Sequence, residues 1–173
     1  ETVTVVDVLV GSSATAPIKT YKGFEKSNKI SSVEGGTVLE NGALVLKVYY
    51  SRNKHTLTWI KNLNNTQVKT EELYFGEAIV APEYSTDGYD VALDSTATTM
   101  PDSDLTITFI HTAKKYDVIF NAGAGLVDGA STKTISASYN ETLKNVHNNI
   151  ISETREGYAL TGWSYTENGA VID

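Results

Sequence analysis

The stretch Arg155–Trp163, REGYALTGW, decides how the rest of the chain is read, because a worn copy of it lies upstream. Residues 87–95 read DGYDVALDS. The Gly-Tyr pair survives there as Gly88-Tyr89, an apolar residue again follows the Tyr by two positions, and the second glycine and the tryptophan are gone, with Ala92-Leu93 near their place. Self-similarity at a roughly constant period marks a repeated supersecondary unit. Further matches run outward from this pair: His55 aligns with Tyr116, Tyr74 with Tyr139 and Gly88 with Gly157, at separations of 61, 65 and 69 residues. Small insertions, among them in the segment after Tyr139, absorb the drift. The reading is therefore three small modules, residues 1–53, 54–113 and 114–173.

Each module reads as strands and turns. In the first, Leu44, Leu46 and Val48 alternate with Val45, Lys47 and Tyr49, the period of a half-buried strand. Asn41-Gly42 suits a two-residue hairpin turn. The second opens with HTLTWI, where Leu57 and Trp59 share a face, turns over 62–67, returns as VKTEELYFGEAI, and closes with LTITFI, in which Leu105, Ile107 and Phe109 alternate with Thr or Ile. The third repeats the scheme as YDVIF, a glycine-rich turn over 123–129, and TISASY. After it, Asn140 is expected to cap a short amphipathic helix carrying Leu143, Val146 and Ile150. The first module is expected to lack a front strand and the third its closing strand, leaving edges free to pair.

Composition narrows the function classes. Ten Tyr, three Pro and one Met, in a chain whose hydrophobic residues make up 40%, suit many short strands and a mainly β fold. No apolar run approaches the roughly 20 residues of a membrane-spanning helix, so no membrane insertion is expected. A net charge of −7 with 14 scattered basic residues argues against nucleic acid as a partner. The absence of Cys excludes disulfides and thiolate zinc sites. The chain opens in a strand pattern without Met or signal peptide and is expected to be an internal piece of a longer protein.

Candidate site residues are few. Tyr49, Tyr50, Tyr84 and Tyr165 could stack on sugars if exposed together. Asp102 and Asp104, with Asp94, carry oxygens for a cation but lack the spacing of an acidic loop, and a solvated turn is expected instead. His55, His111 and His147 have no ligand spacing. Glu71 and Glu72 sit on opposite strand faces, unsuited to a catalytic pair. No catalytic residue, metal or cofactor is assigned. Gly157, Tyr158, Leu160, Gly162 and Trp163 are expected to be structural. The glycines would allow a tight turn and close packing, and Tyr158, Leu160 and Trp163 would fill a core otherwise too small to be stable.

The third module, with FNAGAG from Phe120, Tyr139 before a polar turn, and REGYALTGW, resembles the Listeria–Bacteroides repeat, the B-repeat of internalin B and other cell-wall proteins. Residues 54–113 resemble a divergent relative of it, with TMPDSDLTIT as a closing hairpin. The first module, with YKGFEK and GTVLENGALVLKVYYSRN, is similar to mucin-binding-type repeats. The resemblance implies tandem β-grasp or ubiquitin-like modules in a secreted, cell-wall-attached bacterial protein. It implies a non-enzymatic stalk or spacer with a part in adhesion. The alternatives are a dedicated module for mucin or another host glycoprotein, and an accessory domain of a large surface hydrolase. The implied partners are a host glycoprotein or glycan and neighbouring modules of the same chain.

Overall fold

The computed structural model describes residues 7–167 and 169–172. Over these residues the chain is mainly β, with twelve short strands and one helix of 5 residues. It divides into two compact units, residues 1–82 with 93–110, and residues 83–92 with 111–173.

In the first unit β1 (Ser13–Thr15) pairs antiparallel with β3 (Gly35–Thr37), and β2 (Phe24–Lys26) pairs with β4 (Tyr50–Arg52). The alternation read in residues 44–48 is present as alternating exposure: Leu44, Leu46 and Val48 are half-buried, Val45 and Lys47 exposed. None of residues 44–48 lies in a strand; β4 begins after them at Tyr50, and Lys47 makes a single bridge to Val33. Gly42 adopts φ +64 in a turn, yet Asn41-Gly42 joins no two-residue hairpin: β3 before it pairs with β1, and β4, the next strand, pairs with β2.

β5 (Lys54–Lys61) and β6 (Thr66–Tyr74) form an antiparallel hairpin, and Asn65 at φ +51 takes the left-handed position of the turn. With β7 (Tyr89–Leu93) and β8 (Leu105–Ala113) the strand order is β6-β5-β8-β7, and the division between the units runs through β7 and β8. β8 runs parallel to β5, placing Leu57 opposite Leu105 and Trp59 opposite Ile107. The shared face predicted for Leu57 and Trp59 is the core, where both are fully buried with Met100, Ile107 and Phe109. The Trp59 and Phe109 rings stack at 5.7 Å. The indole N–H of Trp59 donates to Glu71 at 2.9 Å, so its burial leaves no polar group stranded.

The second unit is built on the antiparallel pair β9 (Lys115–Asn121) and β11 (Thr132–Ser138), with a smaller pair of β10 (Leu126–Val127) and β12 (Glu153–Thr154). The helix α1 (Leu143–His147) sends Val146 into a core shared with Phe120 and Ala137, flanked by Val118, Ile135, Leu143, Ile150 and Trp163. The cap is Thr142, not Asn140: the Thr142 side chain accepts from the Asn145 N–H. Asn140 instead sits at φ +62 in the preceding turn, a conformation its short polar side chain tolerates better than most.

The expectation that Tyr158 and Leu160 fill this core is overturned: they are 68% and 53% exposed. Phe120, Ala137 and Val146 with Trp163 occupy the interior, and residues 155–162 lie in no strand. Trp163 keeps the structural part assigned to it, half-buried edge-on to Phe120 at 5.0 Å, with its indole N–H donating to Glu153 at 2.9 Å. Gly162 is required where it stands, since a Cβ there would overlap Val171.

Candidate functional site

The most constructed feature is a joint that occurs twice, once in each unit. In the first unit residues 21–24 turn, with the Phe24 N–H donating to the Tyr21 carbonyl at 3.1 Å and Gly23 at φ +77. The Gly23 carbonyl accepts the Asn53 N–H, and the Asn53 carbonyl accepts the Phe75 N–H, each at 2.8 Å. Phe75 thereby lies over Gly23 so closely that any Cβ would overlap its ring, and it meets Phe24 edge-on at 6.2 Å. In the second unit residues 86–89 turn the same way, with Gly88 at φ +77. Its carbonyl accepts the Lys114 N–H at 2.9 Å, the Lys114 carbonyl accepts the Tyr139 N–H at 2.8 Å, and Tyr139 lies over Gly88, edge-on to Tyr89 at 5.4 Å. Only glycine satisfies both demands here, positive φ and room for the ring.

The aromatic that plugs each joint is also held in a repeated way. Phe75 lies in the turn Tyr74–Glu77, where Gly76 has φ +74 and the Glu77 carboxylate accepts the Tyr74 N–H at 2.7 Å. Tyr139 lies in the turn Ser138–Glu141, where Asn140 has φ +62 and the Glu141 carboxylate accepts the Ser138 N–H at 2.9 Å. A left-handed third residue is what such a turn demands, and Gly and Asn supply it at least cost.

Each joint carries a polar lock of its own. Asp102 accepts the Gly23 N–H at 2.9 Å and the Asn53 amide at 2.7 Å, and His55 Nε2 lies 2.9 Å from the same carboxylate. The Asn53 hydrogen bond, then that with His55, holds the Asp102 carboxyl below its ordinary range. The second joint has instead His111, buried, within 3.1 Å of the Thr86 hydroxyl and edge-on to Tyr84 and Tyr89.

The expected sites are placed as follows. Asp102 is no solvated turn residue but the centre of the first lock; Asp104 accepts the Thr56 N–H and Asp94 the Thr108 N–H. Among the described residues no cluster of His, Asp and Glu could hold a metal ion. Glu71 is engaged by Lys69 and Trp59, which lower its pKa, while Glu72 pairs with Lys54. Of the four tyrosines, Tyr49 is half-buried, and Tyr50 packs edge-on to Tyr21 with its hydroxyl accepting the Lys19 N–H. Tyr84 belongs to the His111 cluster, and Tyr165 is 83% exposed. Tyr50 and Tyr84, both half-buried, thus pack against neighbouring rings within the fold. A groove of 780 Å³ in the second unit, lined by Phe120, Glu153, Tyr158, Trp163 and Tyr165 among others, gathers aromatic faces and a carboxylate.

The joint residues Gly23, Asn53, Phe75 and Lys114 carry no motif of catalysis or binding. Their signal was a glycine followed by an aromatic in Gly23-Phe24, Gly88-Tyr89 and Gly157-Tyr158. Comparison of the chain with protein-family models, with curated proteins and with solved structures gave no match.

Proposed function

We propose that the chain is a non-enzymatic repeat region of a secreted bacterial cell-wall protein, acting as a stalk and contributing to adhesion. In this reading its modules are residues 1–53, 54–113 and 114–173, each of β-grasp kind. The observation that carries it is the joint, built twice from the same hydrogen bonds and the same glycine–aromatic overlap. A flexible linker would leave those amides to water. Closing them in backbone hydrogen bonds, with a ring over the glycine, suits a chain that must keep its direction from one module to the next. Linked modules also make weak contacts useful, because each bound site raises the effective concentration of the next.

Two measurements test the reading. The chain has no Cys, so spin labels at Ile18→Cys and Leu63→Cys, both exposed and on either side of the first joint, report its stiffness. A single narrow distance distribution is expected, and a broad one excludes a stalk. Antibody raised against the chain should label intact cells of the source bacterium; labelling only after lysis excludes the surface role.

The groove beside Trp163 favours a second reading, a module for host glycoprotein or glycan, since aromatic faces with a nearby carboxylate suit sugar rings and hydroxyls. Saturable mucin binding that is lost in Tyr165→Ala would support it, and binding unchanged in that variant would reject this groove.

A further inference from the structure

We propose that the turn Leu9–Ser12 of one copy of this chain docks on the turn Arg155–Tyr158 of another, so that copies associate head to tail. The two filled joints show the form of each half of a joint, and among the described residues the chain presents an unfilled half of each kind.

The socket is Gly157-Tyr158. The Tyr158 N–H donates to the Arg155 carbonyl at 3.1 Å, as Phe24 does to Tyr21 and Tyr89 to Thr86, and Gly157 has φ +76, matching +77 at Gly23 and Gly88. At Gly23 and Gly88 the space beside the glycine is filled by a ring; beside Gly157 nothing stands within 4 Å of where a Cβ would be. Among the described residues no backbone N–H donates to the Gly157 carbonyl, the bond that Asn53 and Lys114 make in the filled joints. Tyr158 is 68% exposed, its ring met by the Arg155 guanidinium at 4.0 Å.

The plug is Leu9–Ser12. Gly11 has φ +84, and the Ser12 N–H donates to the Leu9 carbonyl at 3.1 Å, as Glu77 does to Tyr74. The surroundings match too. The Gly11 N–H donates to the Val38 carbonyl at 2.8 Å and the Val38 N–H to the Ser12 carbonyl at 2.9 Å, repeating the exchange of Gly76 and Glu77 with Met100. Val10 therefore stands where Phe75 stands in the filled joint, but it is 58% exposed and flanked by exposed Leu9 and Val8. An exposed apolar turn and an empty glycine slot of matching geometry, carried by one chain, point to a second copy as the occupant. Such an interface is heterologous, so it extends rather than closing on a symmetric pair. The inference rests on the joint geometry and not on the cell-wall reading, and either can fail alone.

The test uses the whole chain. Val10→Cys and Tyr158→Cys proteins are mixed under mild oxidation, with no native Cys to interfere. The mixed disulfide is expected in about tenfold excess over either symmetric one. In parallel, sedimentation velocity of the native chain from micromolar to millimolar should show a mass average that rises without levelling at dimer, while Val10→Lys, at an exposed position, stays monomeric. Disulfides in the proportions of random collision overturn the proposal. So do a dominant symmetric disulfide between two Tyr158→Cys chains, a native chain that stays monomeric throughout, and self-association that survives Val10→Lys.

Discussion

Replacing Gly88 by Ala, and Gly157 by Ala for comparison, separates the two demands that the joint makes on its glycine. Both residues lie in the second unit, at φ +77 and +76, so an added Cβ meets the same backbone penalty at each. That penalty is about 1–2 kcal/mol for an L-residue in the left-handed region, offset by about 0.4–1 kcal/mol from the lower entropy of the unfolded chain. Gly157→Ala should therefore cost about 1 kcal/mol or less. At Gly88 the new Cβ also overlaps Tyr139. The ring must move, losing its edge-on contact with Tyr89, worth about 0.5–1.5 kcal/mol, and straining the hydrogen bonds through Lys114. Overpacking of this kind adds about 1–3 kcal/mol. Gly88→Ala is thus expected to cost about 2–4 kcal/mol, read from urea denaturation as a lower midpoint at unchanged slope. If the two variants fall within about 0.5 kcal/mol of each other, the ring over Gly88 contributes nothing and the joint is only a turn.

The other expectations concern the cores and the polar lock. Trp59→Ala removes a fully buried ring and leaves Glu71 without its indole donor; a loss of about 3–5 kcal/mol is expected in urea denaturation of the first unit. Trp163→Ala, at a half-buried ring, should cost about 2 kcal/mol. Tyr158→Ala and Leu160→Ala should each stay within about 0.5 kcal/mol of the parent; the reverse order would restore the core role that their exposure denies. Asp102 has a carboxyl depressed in the folded chain by Asn53 and His55, so its contribution is complete above the unfolded value of about 3.9. That contribution is lost as pH falls through the folded value. Asp102→Asn should flatten the acid limb of the stability profile, and an unchanged limb would show that the lock carries no linkage.

The strands over residues 54–61, 105–113 and 132–138 were legible because their faces are uneven. Leu57 and Trp59 alternate with Thr56 and Thr58, and Ile135 and Ala137 with Thr134 and Ser136, and a period of two has one structural meaning. Residues 44–48 were less so: they alternate in exposure without pairing as a strand, since alternation reports faces and not hydrogen bonds. The Gly-Tyr signature was visible as a repeat, but the core role expected of its Tyr158 does not hold. Aromatic residues in a short motif suggest a core, yet Tyr89 packs in a joint and Tyr158 lies exposed. The partners that distinguish these fates, Tyr139 and Phe75, lie dozens of residues away, and no local pattern couples them. Asp102 was hidden for the same reason: its partners are Gly23, Asn53 and His55, remote in sequence and joined only by the fold.

Amide hydrogen exchange tests the joints most directly. The N–H groups of Asn53, Phe75, Lys114 and Tyr139 each donate to a backbone carbonyl across a joint. Interlocked joints predict that these four exchange as slowly as the amides of Thr58 and Trp59 inside the β5 strand, opening only when their unit unfolds. Exchange of the four at the rate of an unstructured peptide, while β5 remains protected, would contradict the account and leave each joint a hinge.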